Sequence, residues 1–379
     1  MPRRLTYLTG TRADFGVMAP ILREIAASTS LELDLLVTGM HLSERYGSTV
    51  REVEASGLPI SARIPVAIDQ DSGLGMALSA AEVLRATARF LADNRRDAMI
   101  VLGDRWEMLA AAQAALYAGL PIVHLCGGER SGSIDESLRH AISKLAHLHL
   151  VAAEDGERRL LGMGEEPWRI HRIGAPGLPG LAERAGETDL IALAERYGFD
   201  PGRPYALLLF HPVVQDAEDA GTQWRALFDA LAPTGLQVVS LLPNADTGTD
   251  RIRAEIARAA NAGGIVAVEH MPREDYLAAL RHSAFLIGNS SSGIVEAATL
   301  GTAVVNVGDR QAGRLRSANV FDADFEPAGL AAAIAAARDF DASGLVNVYG
   351  EAHADRRVRE VLESIDLADP ALLKKSMTY

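Results

Sequence analysis

The chain reads as an α/β protein made of two doubly wound, Rossmann-like halves with parallel sheets. Three observations predict this. Short apolar runs alternate with segments of helical periodicity from one end to the other. Breakers concentrate near the middle, in Gly174-Ala-Pro-Gly-Leu-Pro-Gly180, and the alternation restarts beyond them. Polar, glycine-rich turns follow several apolar runs, where a doubly wound sheet carries its ligand loops.

In order, the first half is expected to place strands at 4–9, 32–38, 62–68, 98–102, 122–125 and 148–152, with helices between them such as 76–91 and 108–118. The Pro/Gly stretch acts as a hinge. Strands then resume at 205–210, 237–242, 265–268, 284–287 and 303–307, and helices at 330–340 and 351–365 end the pattern, the last crossing back onto the first half. The expected domains are 1–175, carrying the catalytic carboxylates, and 176–379, carrying the anion site, with a cleft between them lined by loops at the carboxyl ends of the strands.

Composition narrows the function classes. A chain of 379 residues with 48% hydrophobic content can bury two cores, and no apolar run reaches membrane-span length. The start, MPRRLTYLTGTRADFG, has only a strand-length apolar stretch before a polar turn, unlike a signal peptide. Cys126 is the only cysteine, so no intrachain disulfide can form and a cytoplasmic location is expected. The net charge of −13 disfavours nonspecific binding to nucleic acid or an anionic membrane. There is no H-E-x-x-H, clustered Cys/His or repeated-Asp metal pattern, and no G-x-S-x-G nucleophile elbow.

The strongest ligand signal is the turn Gly288-Asn-Ser-Ser-Ser-Gly293. Phe285, Leu286 and Ile287 form an apolar run before it, and Ile294, Ala297, Ala298 and Leu300 follow at helical spacing. At a helix start the first N–H groups lack intrahelical partners and the dipole is positive. Ser290, Ser291 and Gly293 can therefore offer main-chain and hydroxyl donors to an anion, Gly293 permitting close approach. An ordinary cap needs one serine, not three. Glu296, read as lying in the first helical turn, either accepts from ribose hydroxyls or complements the dipole. An acidic protein must meet an anion locally, and Gly308-Asp-Arg-Gln-Ala-Gly-Arg-Leu-Arg316 supplies Arg310, Arg314 and Arg316 close by.

In the first half, the turn Thr9-Gly-Thr-Arg-Ala-Asp-Phe-Gly16 lacks the G-x-G-x-x-G spacing of a dinucleotide loop. Arg12 suits a phosphate or base edge and Asp14 a hydroxyl, an Arg12–Asp14 pair being the alternative. Asp104 stands at a strand's carboxyl end before a helix start, as a base, a hydroxyl-binding group or a helix cap. Residues 123–140 form the densest polar and flexible run. Leu138, Ile142 and Leu145 make a helical stripe there, and Asp135 shares nearly the same face, so it points inward as a satisfied first-turn anion or toward a ligand. Arg139 lies at i+4 from Asp135 and can pair with it. His124, Glu129 and His140 are further candidate proton carriers, although most of the chain's ten histidines are expected to be structural. His211 follows the apolar run 207–210, which Pro212 stops; it faces the cleft or bonds a carbonyl.

Six stretches together carry a family resemblance over nearly the whole chain: TGTRADFG, GDRWE, HLCGGERSGSIDESLRHAISKLAHLHL, HPV, LLPNADTG and GNSSSGIVEAATLGTAVVNVGDRQAGR. The chain resembles the hydrolysing UDP-N-acetylglucosamine 2-epimerases, in the branch that feeds sialic acid and related nonulosonic acid synthesis. The resemblance implies a GT-B architecture closing on a UDP-linked amino sugar, no nicotinamide or other cofactor, and a homodimer or homotetramer. It also implies loss of the carbon-2 proton with departure of UDP from carbon 1, then hydration of the glycal with inversion at carbon 2 to give N-acetylmannosamine. By motif, Asp104 and Asp135 match active-site carboxylates and His211 the histidine of the second domain. Arg12, Ser290, Ser291, Glu296 and Arg310 match nucleotide or diphosphate contacts, joined by Gly293, while Asp14, Arg105 and Arg139 fall to the sugar.

Two positions depart from the pattern. Cys126 stands where well-known members have a catalytic glutamate, which leaves that role to Glu129 or to a different mechanism, Cys126 itself being a thiol acid or base or, in the preferred reading, a small buried residue. Val17 replaces a lysine found in some members, and the two changes leave the sugar open between UDP-N-acetylglucosamine and a close analogue such as a UDP-2,4-diacetamido-trideoxy sugar. A retaining GT-B glycosyltransferase and a non-catalytic sugar-nucleotide binding protein are the rival readings.

Overall fold

The computed structural model describes residues 2–67, 73–130, 134–243, 246–350, 353–376 and 378. They form two compact units: residues up to Arg130, Ile134–Pro179 and Tyr349 onward in the first, and Gly180–Val348 in the second. The chain thus leaves the first unit a few residues later than the expected boundary at 175, and the C-terminal stretch belongs to the first unit.

The first unit is built on seven parallel strands: β1 (Arg3–Thr9), β2 (Leu31–Thr38), β3 (Ile60–Ile64), β4 (Ala98–Leu102), β5 (Ile122–Leu125), β6 (Leu148–Val151) and β7 (Ile170–Arg172). Their order is β3-β2-β1-β4-β5-β6-β7. The order reverses between β1 and β4, and a ligand crevice opens outside the carboxyl ends of strands at such a switch point. The central strands are buried on both faces. Leu5, Tyr7, Leu33 and Leu35 pack toward the helix Arg12–Ala26, and Leu8, Leu36, Met99 and Val101 toward the helices Gly73–Asp93 and Trp106–Tyr117. The third strand begins earlier than expected and ends at Ile64, Pro65 stopping it; Ile68, the expected end, lies outside the described residues. The sequence reading missed β7, because Ile-His-Arg at a sheet edge carries no apolar run.

The second unit has six strands among the described residues: β8 (Tyr205–Leu209), β9 (Gln237–Leu241), β10 (Val266–Val268), β11 (Phe285–Gly288), β12 (Val304–Val307) and β13 (Val320–Ala323). Their order is β10-β9-β8-β11-β12-β13, all parallel, reversing between β8 and β11. β13 was also missed. It is a half-exposed edge strand interrupted by Asp322. In the LLPNADTG stretch, Asn244 and Ala245 lie outside the described residues.

The helix Ala354–Ser364 explains why the C-terminus joins the first unit. Val358 and Leu362 enter the core beside Ile21 and Ile25, and Arg359 pairs with Glu24 at 2.7 Å. Its expected start at Glu351 falls outside the described residues. Beyond it, Lys375 donates to the carbonyls of Ser143, Lys144 and Ala146 at 2.8–3.0 Å, capping the end of the helix Ile134–Leu145. The same ammonium lies 2.6 Å from buried Glu165, which also meets Lys144 at 2.7 Å and His149 at 3.0 Å. Lys375→Met removes three charged hydrogen bonds from one helix end together with one cation partner of Glu165, and a loss of at least about 2–3 kcal/mol is expected in chemical unfolding followed by circular dichroism. An unchanged unfolding midpoint would show that the cap carries no stability. Among the described residues no helix is long and apolar enough to cross a membrane.

Candidate active site

Asp14 is the first candidate the structure reassigns. It sits at the third position of the helix that follows β1, and with Thr11 it forms a capping box. Its carboxylate accepts from the Gly10 N–H at 3.0 Å, the Thr11 N–H at 2.6 Å, the Thr11 hydroxyl at 2.9 Å and Tyr7 at 3.2 Å, and from the Thr9 hydroxyl. A carboxylate offers about four lone-pair sites. These are filled, so Asp14 fastens the turn rather than binding a sugar hydroxyl. Arg12 opens the helix and is half-buried.

At the end of β4, Gly103 takes φ +72°, a left-handed conformation that favours glycine, and turns the chain so that Asp104 follows. The next helix is capped by Arg105 with no side-chain bond, so Asp104 is not its cap. Asp104 instead pairs with Arg139, 35 residues on and nearly fully buried. Arg139 also donates to the Cys126 carbonyl at 2.8 Å and lies 3.7 Å from Glu129. Burial works against the guanidinium's charge, but Asp104 and Glu129 more than offset that and hold its pKa above the ordinary value. Arg139 therefore fastens the carboxylates. Asp135, one turn earlier on the same helix, is half-buried and adds to the field that keeps Arg139 charged.

The loop after β5 is shaped by close packing. At Gly128, φ is +72° and a Cβ would stand 2.3 Å from the Gly156 carbonyl oxygen. At Gly127 a Cβ would stand 2.8 Å from the ring of His124. These glycines turn the chain back so that buried Glu129 reaches Arg139. Cys126 itself holds φ +59°, unusual for a residue with a side chain, and is half-buried rather than buried. His124 is not a proton carrier for a ligand. It is fully buried, its Nε2–H donates to the Gly103 carbonyl at 2.7 Å, Ser143 donates to Nδ1 at 3.2 Å, and burial lowers its pKa to about 3. His140 lies 3.5 Å from Glu136 on the partly exposed side of its helix.

Arg105 also differs from expectation. Its guanidinium pairs with fully buried Glu107 at 3.2 Å, and burial raises the Glu107 pKa, partly opposed by Arg105. Glu107 lies beneath the strand ends: a Cβ at Gly10 would meet it at 3.0 Å. The sequence reading missed it. Only its place three residues after Asp104, in a helix's first turn, could have drawn attention.

In the second unit, β11 ends in Gly288 at φ +142°, where a Cβ would stand 2.0 Å from the Leu209 carbonyl oxygen. Ser290 caps the following helix and accepts from the Ser292 N–H at 3.4 Å, and its hydroxyl meets that of Ser292 at 2.9 Å. Ser292 also bonds Tyr276, whereas Ser291 is exposed. The helix is short, Ser291–Val295, and continues as a 3-10 turn, Ala297–Leu300. Gly293 is needed for packing: a Cβ there would meet Val304 at 2.9 Å and Leu286 at 3.0 Å, so its glycine lets the helix lie on the sheet rather than admitting a ligand. Glu296 lies at the junction, closing this helix and standing before the 3-10 turn, and not in the first turn after the serines. It makes a bidentate pair with buried Arg273, at 2.6 and 3.0 Å, a partner the sequence reading missed.

Of the three arginines expected at the turn, Arg310 comes to it, donating to the Asn289 carbonyl at 3.1 Å. Arg316 pairs with Asp322 at 3.2 Å. Buried His211 follows Phe210, its main chain bonded to the Asn289 side chain. A cavity of about 550 Å³ opens here, lined by Phe210, Asn289, Gly308, Arg310, Arg316 and Phe325 among others. The first unit thus offers carboxylates fixed by a buried cation, suited to proton transfer, and the second offers hydroxyls, a helix start and an arginine, suited to an anion.

The chain matches the family model described as UDP-N-acetylglucosamine 2-epimerase over residues 23–363. It is 39% identical over 374 residues to a UDP-N,N'-diacetylbacillosamine 2-epimerase (hydrolyzing) of Legionella pneumophila, covering 99% of each chain. It is 36% identical over 324 residues to a UDP-N-acetylglucosamine 2-epimerase of Neisseria meningitidis, covering 86% of this chain and 84% of that one. Among solved structures it is similar to the Methanocaldococcus jannaschii UDP-GlcNAc 2-epimerase in complex with UDP-GlcNAc and UDP. That likeness has a TM-score of 0.83 at 16% identity and covers 95% of this chain and 99% of that one. The fold is accordingly the two-domain, GT-B-like α/β fold of those structures.

Proposed function

Since the chain belongs to the UDP-N-acetylglucosamine 2-epimerase family, we propose that it is a hydrolysing 2-epimerase of UDP-linked amino sugars, with UDP-N,N'-diacetylbacillosamine as its preferred substrate. The observation that carries this reading is the carboxylate pair Asp104 and Glu129 locked on buried Arg139, in a chain that aligns end to end with a hydrolysing diacetylbacillosamine epimerase. The 36% identical UDP-N-acetylglucosamine epimerase supports UDP-N-acetylglucosamine as the second substrate to test.

In this reading a carboxylate of the Asp104, Glu129 and Asp135 set removes the proton at carbon 2. The bond from carbon 1 to the diphosphate oxygen breaks, and a carbon 1–carbon 2 double bond forms. Water then adds hydroxide at carbon 1 and a proton at carbon 2 on the opposite face, releasing the 2-epimeric free sugar. A carbon-2 proton is weakly acidic, so the leaving diphosphate must be stabilised by fixed donors. Arg12, Ser290, Ser291 and Arg310 take that role, and His211 protonates the departing oxygen or orients the water. Glu296, whose oxygens keep lone pairs beyond those given to Arg273, accepts from the ribose. The product feeds nonulosonic acid synthesis, and the enzyme works in the cytoplasm as a homodimer or homotetramer, which light scattering on the purified protein tests directly.

Incubation with each UDP sugar in heavy water is the experiment for the reaction. Free UDP and a 2-epimeric sugar carrying deuterium at carbon 2 are expected, faster with the diacetamido sugar. UDP binding without turnover of any UDP-amino sugar would favour a binding protein, and transfer to an acceptor without exchange at carbon 2 would favour a glycosyltransferase.

A further inference from the structure

We infer that Asn289 is a positioning residue that sets His211 against the anion-binding turn. The backbone ladder between β8 and β11 closes at the pair Leu209 and Gly288, and the Asn289 N–H reaches back to the Leu209 carbonyl at 3.3 Å. Past that point the Asn289 side chain takes over. Its Oδ1 accepts from the His211 N–H at 2.8 Å, and its Nδ2 donates to the His211 carbonyl at 2.8 Å. A primary amide is the side chain that can serve both main-chain groups of one residue in this way, since it carries one acceptor and donors on the same planar group. Asn289 is 1% exposed, so neither main-chain group of His211 gains a water partner easily if the amide is removed.

The same residue also holds the anion side of the site. Its carbonyl accepts from Arg310 at 3.1 Å and from Gln311 at 2.9 Å, and its own chain leads directly into Ser290. The approach depends on Gly288, where any side chain would collide with the Leu209 carbonyl. Side-chain amide to His211 and main-chain carbonyl to Arg310 therefore fix an acid-base group and an anion-binding cation through one buried residue. Pro212 follows His211 and has no N–H of its own to offer the ladder.

The inference rests on the proposed epimerase reading, and wild-type turnover of a UDP-amino sugar is its first control. Asn289→Ala keeps the carbonyl that holds Arg310 and removes only the grip on His211. The expected result is a 10- to 100-fold fall in kcat, on the order of what a displacement of about 1 Å costs a reacting group, with KM for the sugar nucleotide and Kd for UDP within threefold of wild type. Asn289→Asp keeps the acceptor and loses the donor, so it falls between the two and remains informative if the alanine variant does not fold. In a His211→Ala background, Asn289→Ala should lower kcat less than threefold further, because the group it positions is already gone. A wild type that binds UDP but releases none from any UDP-amino sugar defeats the functional reading. With an active wild type, an unchanged kcat in both variants, a fully multiplicative double variant, or a parallel loss of UDP binding defeats the role of Asn289.

Discussion

Asp104→Asn is expected to lower kcat for UDP release about a thousandfold, within the range measured for loss of a positioned acid or base, while UDP still binds within threefold of the wild-type affinity. The substitution is nearly isosteric and keeps an oxygen facing Arg139, so the hydrogen bond can survive the loss of charge. What disappears is a carboxylate at the carboxyl end of β4, 22% exposed and therefore within reach of a ligand. Arg139 stays neutralised by Glu129 at 3.7 Å and held by the Cys126 carbonyl at 2.8 Å, which limits the structural cost. Breaking a buried ion pair by deleting one partner typically costs about 3–5 kcal/mol, and retaining the hydrogen bond should keep this variant well below that. Glu129→Gln tests the second carboxylate in the same way. If Asp104→Asn retains more than a tenth of wild-type kcat while Glu129→Gln is dead, the proton is taken by Glu129 and Asp104 serves only to hold Arg139.

The sequence made the doubly wound pattern legible because each central strand is an apolar run and each crossover helix has its own period. It did not reveal β7 or β13, whose residues Ile170-His-Arg172 and Val320-Phe-Asp-Ala323 lie at sheet edges, where one side needs no apolar cover. Site residues followed the same division. Asp104, Glu129, Ser290 and Arg310 were visible because they stand in turns at strand ends. Arg139 was assigned to the sugar since its partner Asp104 is 35 residues away in the chain, and spacing along a helix reports only neighbours at i+3 and i+4. Asp14 carries a signal of its own in the sequence: Thr11-Arg-Ala-Asp14 is a Thr-x-x-Asp run that a capping box uses, and the local network takes the carboxylate. Glu107, Arg273 and Asn289 are buried polar hubs. Their burial comes from tertiary packing, which leaves no periodic trace.

Acid is expected to unfold the first unit from the inside, beginning below pH 6.5, with buried His124 a main contributor and buried His149 acting in the same direction. Burial lowers its pKa from 6.5 to about 3, with the bond to the Gly103 carbonyl opposing that shift. The unfolded chain takes up this proton as pH falls through 6.5, but the folded chain resists it until about pH 3. Stability therefore rises with pH across that window and is lost as pH falls. At 1.36 kcal/mol for each pH unit, His124 alone removes on the order of 5 kcal/mol by pH 3. His147, lowered to about 4 by burial first and the nearby Lys375 next, acts in the same direction. Glu165 adds to it at lower pH: burial alone would raise its pKa, but hydrogen bonds from His149, Lys144 and Lys375 hold it at about 2, so its contribution is present above 4.5 and lost as pH falls toward 2. His124→Gln keeps a donor for the Gly103 carbonyl and cannot titrate. Urea unfolding from pH 7 to pH 4 should show a steep decline in wild type and a slope shallower by one proton in the variant. Equal slopes in the two proteins would remove His124 from the acid response. The proton taken up falls on Nδ1, where it displaces the hydrogen that Ser143 donates, while Nε2–H keeps its bond to the Gly103 carbonyl beside Asp104; activity is therefore expected to fall with unfolding and not before it. Turnover recorded after a brief acid pulse and return to neutral pH should recover with refolding, and His124→Gln should keep its activity to a lower pH than wild type.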